Sequence, residues 1–147
     1  MKTYRKAIFA VVYTIDEGKV EYLILKRKKH WKGWEFTKGG VEKGEKLIET
    51  VWREIKEETG QRVIDIKKWK TGGKYKYGKD FVQKAKHIGQ EWTLFSVRVA
   101  KGKVNLDREE HNGFKWLDFK NAEKILTWKN QKKCLKMVNS SLENGVH

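Results

Sequence analysis

The run from Lys46 to Thr59 contains neither Gly nor Pro, and Gly60 stands where a helix through it would stop. Leu47, Ile48, Val51 and Ile55 recur at helical spacing, so the run is predicted to be a helix that buries this stripe. Glu54, Glu57 and Glu58 stand at i, i+3 and i+4, which brings their side chains together on another face. Three carboxylates at close quarters repel one another unless something positive sits among them. Mg²⁺ suits such a face because it takes oxygen ligands, accepts only a few protein carboxylates and leaves positions for water or phosphate oxygens. A metal held there stabilises charge on a transferring phosphoryl group and makes water nucleophilic near neutral pH. The plain alternative is a solvated face of Glu–Lys pairs, with Arg53 and Lys56 as ordinary partners.

The charge around this helix runs against the rest of the chain. Residues 39–60 hold six glutamates against four cations, while the whole chain carries +15 with a pI near 9.8. An acidic helix in a basic protein is a way to hold divalent cations beside a polyanionic substrate. The basic excess favours nucleotides, RNA ends or polyphosphates. A general lysine bias, of the kind found in heat-adapted proteins, would give the same charge, though the lack of any Pro argues against that origin.

A length of 147 residues fits one domain, 1–147, around one core. The single cysteine, Cys134, excludes an intrachain disulfide and reads as a small core residue of a helix. No apolar run approaches the roughly 18 residues of a membrane span. The basic start and short apolar run of residues 1–16 read as a first strand rather than a signal peptide. The expected location is therefore the cytoplasm.

Residues 6–15 and 20–26 read as a hairpin around Asp16-Glu17-Gly18. Residues 63–69 read as a strand leaving the helix, 70–90 as a loop or ragged hairpin rich in Gly and Lys, and 91–99 as a central strand. Residues 114–117 form a short strand, Asp118 caps a helix to about Leu126, and a last helix begins near Asn130 with Leu135, Val138 and Leu142 inward. Strands and helices in this order predict a mixed sheet covered by helices.

Gly39, five residues, Glu45, seven residues, then Arg53-Glu54-Ile55-Lys56-Glu57-Glu58-Thr59-Gly60 resembles the signature of the Nudix hydrolases. Every fixed position matches. Gln61 stands where the signature has an aliphatic residue, and Val63 is expected to take its packing role. The resemblance implies an α/β/α sandwich with a mixed central sheet and a loop-helix-loop catalytic motif. It implies Mg²⁺, with Mn²⁺ as a substitute, on Glu54, Glu57, Glu58 and the Gly39 carbonyl. It also implies that Arg53 pairs with Glu45 to fix the loop against the helix. The reaction implied is attack of water on a phosphoanhydride of a nucleoside diphosphate linked to another group.

Flanking residues bear on the substrate. Trp34-Glu35-Phe36-Thr37-Lys38-Gly39-Gly40 resembles the approach to the signature in the diadenosine tetraphosphate hydrolase and RNA pyrophosphohydrolase branch, with Thr37 for a proline. Gly89-Gln90-Glu91-Trp92 and Glu110-His111-Asn112-Gly113-Phe114-Lys115-Trp116-Leu117 resemble the same branch. Lys38 is then expected on the substrate phosphates, aided by Arg27 and Lys28, and Glu110 as a further metal ligand or the general base. Glu57 is the other candidate base. His111 either orients a phosphate or caps its loop. Tyr75, Tyr77, Phe81 and Trp92, with Lys84 and Lys86, form a candidate base-binding surface, with one of the tyrosines stacking on adenine. The leading expectation is hydrolysis of diadenosine tetraphosphate to ATP and AMP. The rivals are removal of pyrophosphate from RNA 5′ ends, sanitation of nucleoside triphosphates, and a non-catalytic nucleotide- or RNA-binding module.

Overall fold

A computed structural model describes residues 3–79 and 86–144. Phe81 and Lys84 lie outside the described residues. A seven-stranded mixed sheet runs β3-β2-β1-β6-β5, with β4 paired to β1 and β7 to β2. Strand β1 spans Tyr4–Asp16, β2 Lys19–Arg27, β3 Gly33–Glu35, β4 Thr37–Gly40, β5 Arg62–Lys76, β6 Gly89–Ala100 and β7 His111–Leu117. Helix α1 spans Leu47–Glu58, α2 Phe119–Ile125 and α3 Lys129–Glu143.

β1 and β6 are parallel, and the other strand pairs are antiparallel. β1 is buried from Ala7 to Thr14 because helices cover both faces, so its sequence is a continuous apolar run rather than an alternating one. Ile8, Ala10 and Val12 point to α1 and pack with Val51 and Ile55. Phe9, Val11 and Tyr13 point to α2 and α3 and pack with Ala122, Leu126, Leu135 and Val138. The α/β/α sandwich is thus the arrangement observed. The predicted first hairpin forms, with Glu17 and Gly18 both at positive φ, as a two-residue turn between Asp16 and Lys19 requires. Asp118 accepts from Asn121 N at 3.0 Å and caps α2 as expected. Cys134 is buried, and burial pushes its thiol up to about 12.

Two expectations need correction, and one open alternative is decided. Ile48 is not part of the buried stripe but is 47% exposed, because the stripe of α1 narrows to Leu47, Val51 and Ile55 over the sheet. Of the loop or ragged hairpin expected over 70–90, the hairpin is what residues 70–76 form: β5 continues through them along β6, with a register break between Lys68 and Gly72 that the glycines permit. Trp92 is not a base platform. It is 7% exposed and stacks on Phe9 with ring centroids 4.3 Å apart.

The edge of β1 is shared. β4 takes Ala7–Ala10 and β2 takes Tyr13–Asp16. Past Tyr22, β2 leaves β1 and pairs instead with β3 on one side and β7 on the other. The divergence sets the ends of β2, β3 and β7 opposite β4 and α1, and there the signature glutamates lie.

Candidate active site

Local chemistry fixes the loop before α1. Gly44 adopts φ +79, and Glu49 accepts from Lys46 N at 2.9 Å to begin the helix. Arg53 reaches back from the second turn. Its Nε and Nη2 donate to the two Glu45 oxygens at 2.8 and 3.0 Å, and Nη2 also donates to Gly40 O at 2.8 Å. This planar fork locks β4, the loop and α1 into one unit, a task the point charge of a lysine would not perform. The Arg53 guanidinium and a hydroxyl bond from Thr50 hold the Glu45 carboxyl down at about 2. Thr59 and Gly60, the latter at φ +69, end the helix where the sequence places its stop.

The three helical glutamates differ in environment. Glu58 is buried, and its Oε2 has no hydrogen-bond partner among the described residues. Burial raises its carboxyl well above the usual range, helped by the nearby charges of Glu54, Glu35 and Glu110. Glu54 is also raised, chiefly by burial, with the Arg53 guanidinium opposing the rise. Two buried carboxyl groups this close each make ionisation of the other harder. Glu57 is half exposed and lies 3.3 Å from Arg53 Nη1, which also donates to Glu54 at 2.7 Å. The guanidinium thus supplies the positive charge between two of the carboxylates. Among the described residues, no three carboxylate, histidine or cysteine side chains converge on one ion-sized point.

A divalent cation nevertheless fits these residues. Glu58 brings a buried carboxylate oxygen with no hydrogen-bond partner among the described residues, Glu54 lies beside it, and oxygen donors are what Mg²⁺ requires. Gly39 supports the same conclusion. A Cβ there would collide with the Glu54 carboxylate, so glycine lets that group keep its place against the β4 backbone.

Glu110 joins this group from across the cleft. Lys28 N and Lys29 N both donate to its carbonyl, at 2.9 and 3.4 Å, which ties the start of β7 to the end of β2. Its carboxylate lies 3.6 Å from Arg27 and adds to the repulsion on Glu58. Its neighbour Glu109 instead caps a turn, donating from its backbone to Asp107 at 2.9 Å.

Gln61 departs from the signature for a visible reason. It is buried, donates to Lys103 O at 2.8 Å and Thr59 O at 3.2 Å, and accepts from Gly102 N at 3.1 Å. It pins the segment after β6 to the end of α1, and Val63 takes the apolar contact as expected.

Around the carboxylates stand the candidate substrate groups. Lys38 lies at 3.7 Å from Glu35, and Arg27 at 3.1 Å from the same carboxylate. His111 neither caps its loop nor faces solvent. It is buried and donates through Nε2 to Glu35 at 2.8 Å. Glu35 is a residue that pattern reasoning missed, since a glutamate in a short strand carries no signal of burial. The Tyr75 hydroxyl is 2.6 Å from Gln90, and its ring meets Tyr77 edge-to-face at 6.2 Å. A second aromatic group lies beside Arg27, whose guanidinium is 6.0 Å from the Trp31 ring. Trp31 meets the exposed Trp128 at 5.1 Å, and Lys115 covers Trp34 at 5.2 Å.

The NUDIX domain profile matches residues 3–138 of this chain. The chain belongs to the Nudix family. An RNA pyrophosphohydrolase of a Nitratiruptor species is 31% identical over 136 residues, covering 86% of each chain. One from Halorhodospira halophila is 25% identical, covering 82% of this chain and 71% of that one. Among solved structures, a Nudix hydrolase of Listeria monocytogenes superposes with a TM-score of 0.81 at 20% identity, covering 95% of both chains. An Ap4A hydrolase of C. elegans superposes with a TM-score of 0.74 at 24% identity, covering 95% of this chain and 98% of that one. These two structural likenesses concern the fold. The chain is thus a Nudix hydrolase, and members of this family generally use divalent cations such as Mg²⁺.

Proposed function

We propose that this Nudix hydrolase removes pyrophosphate from the triphosphorylated 5′ end of RNA. The observation that carries the reading is the run of cations and rings leading away from the glutamates: Arg27, Trp31 and Trp128, with Lys115 over Trp34. Rings interleaved with cations accept the splayed bases and backbone of a single strand beyond its first nucleotide. The 31% identity to an RNA pyrophosphohydrolase supports the same substrate class and outweighs the expectation of diadenosine tetraphosphate drawn from the sequence.

In this reading Glu54, Glu57, Glu58 and the Gly39 carbonyl would hold divalent cations, which would supply charge neutralisation at the phosphates and activation of water. Lys38 and Arg27 neutralise the phosphate oxygens. Glu110 or Glu57 takes the proton from the attacking water. A bond forms from the water oxygen to phosphorus, the bridge between α- and β-phosphates breaks, and the RNA keeps a 5′ monophosphate. Cleavage of diadenosine tetraphosphate is the second reading, favoured by the Tyr75–Tyr77 pair, whose rings offer a stacking surface to an adenine.

The test is a substrate panel with Mg²⁺ and with EDTA, holding triphosphorylated RNA, diadenosine tetraphosphate, ADP-ribose and nucleoside triphosphates. The expected outcome is metal-dependent release of pyrophosphate, with triphosphorylated RNA the best substrate by kcat/KM. Preferred release of ATP plus AMP would transfer the assignment to the dinucleotide. No turnover of any member would remove the catalytic reading.

A further inference from the structure

Glu35 belongs to no signature position and to no step above, yet its side chain has 0% exposure. An unpaired carboxylate so enclosed would cost several kcal/mol. Burial pushes its pKa up, but His111, Lys38 and Arg27 outweigh that and hold it below the usual carboxylate range. Glu35 is therefore a buried anion whose partners come from three other strands. Oε2 accepts from Arg27 Nη1 of β2 at 3.1 Å and from His111 Nε2 of β7 at 2.8 Å. Oε1 faces Lys38 Nζ of β4 at 3.7 Å and makes no hydrogen bond among the described residues.

The division of labour between the two oxygens is informative. A structural ion pair would use both in close contacts. Here Oε2 carries both hydrogen bonds, while Oε1 acts on Lys38 through charge alone. Lys38 Nζ makes no hydrogen bond among the described residues, so its donors are kept for another acceptor. Arg27 is likewise divided, between Glu35 at 3.1 Å and Glu110 at 3.6 Å. Two cations of different strands thus share one buried anion.

We infer that Glu35 is a positioning residue, the buried anion that aims Lys38 and Arg27 at the substrate phosphates, a role that rests on the phosphate-binding function proposed for those two cations. Glu35→Gln separates its two oxygens. With the amide oxygen in the place of Oε2, the bonds from Arg27 and His111 survive, while the amide N–H groups face Lys38 and repel it.

The experiment is steady-state kinetics of the wild-type chain, Glu35→Gln, Lys38→Met and the double variant, with Mn²⁺ affinity from electron paramagnetic resonance and melting curves alongside. It uses whichever phosphoanhydride the wild type cleaves, so wild-type turnover judges the substrate and the variants judge Glu35. Glu35→Gln is expected to raise KM about tenfold with kcat within about threefold and Mn²⁺ affinity within about threefold. The double variant is expected within about twofold of Lys38→Met in KM, because the two changes remove one interaction. An unchanged KM in a folded Glu35→Gln protein, or two KM effects that multiply, would overturn the inference. Should Glu35→Gln not fold, Glu35→Asp keeps the charge and withdraws it by one methylene. A raised KM with unchanged Mn²⁺ affinity then supports the role, and a wild-type KM ends it.

Discussion

At the scale of single residues, the site is built from groups that would be unstable without one another. Glu58 is buried, has no hydrogen-bond partner for one oxygen among the described residues and feels three other carboxylates. Glu58→Gln is expected to lower turnover by about 10²–10⁴ while the metal-free protein melts at the same temperature or higher, since a like-charge repulsion is removed. Melting curves with and without Mg²⁺ check this: the wild type should gain a metal-dependent rise that the variant loses. Wild-type rates in Glu58→Gln would remove the assigned metal site. Glu45 poses the opposite case. Its pKa lies near 2 when folded against a usual 4.5, so its contribution to stability is fully present above about pH 4.5 and is lost as pH falls through 2. The melting-temperature gap between wild type and Glu45→Gln should therefore be widest near neutrality and close between pH 4.5 and 2.

At the scale of elements, two polar ties decide how helices sit on the sheet. The Arg53 fork fastens α1 to β4, and the buried bond from the Tyr22 hydroxyl to Asn139 Oδ1, at 2.7 Å, fastens α3 to β2. Tyr22 has 0% exposure, and burial raises its phenol far above the usual range, so it stays a neutral donor at any working pH. Tyr22→Phe leaves Asn139 without that donor and is expected to cost about 1–3 kcal/mol in chemical denaturation. Turnover should not change, because the bond lies on the face opposite α1. A loss of activity without a loss of stability would place Tyr22 in the site instead.

At the scale of the whole molecule, the net charge of +15 acts on the substrate before any contact forms. Under the proposed RNA reading, the aromatic and cationic run beyond Arg27 would give a longer RNA more phosphate contacts than a dinucleotide. Each phosphate neutralised adds roughly 0.7 to the salt slope for a single strand. For triphosphorylated RNA, log kcat/KM should thus fall more steeply with log salt than it does for diadenosine tetraphosphate. Equal slopes would mean that the run beyond Arg27 touches no RNA.

Periodicity and fixed spacing made α1, its acidic face, its glycine stop and the Arg53–Glu45 pair legible in the sequence, because each depends on neighbours within about 20 residues. The first hairpin and the cap of α2 are local in the same sense. What the sequence did not reveal depends on contacts between distant segments. Ile48 has the spacing of a core residue, yet the sheet beneath α1 leaves it in solvent. Residues 70–76 allow a loop or a hairpin by composition, and only the ladder that β6 supplies makes them a strand. Trp92 looks like a nucleobase platform, yet Phe9 claims its ring. Glu35 is the clearest case. Nothing in its own stretch distinguishes it from an exposed glutamate, and only the convergence of β2, β3, β4 and β7 encloses it and surrounds it with cations. The sequence by itself determined which carboxylates share one face, because the signature lies on one helix and the loop before it. The tertiary structure alone decided that Lys38 and Arg27 share one buried anion, because burial and charge balance are sums over strands far apart in the chain.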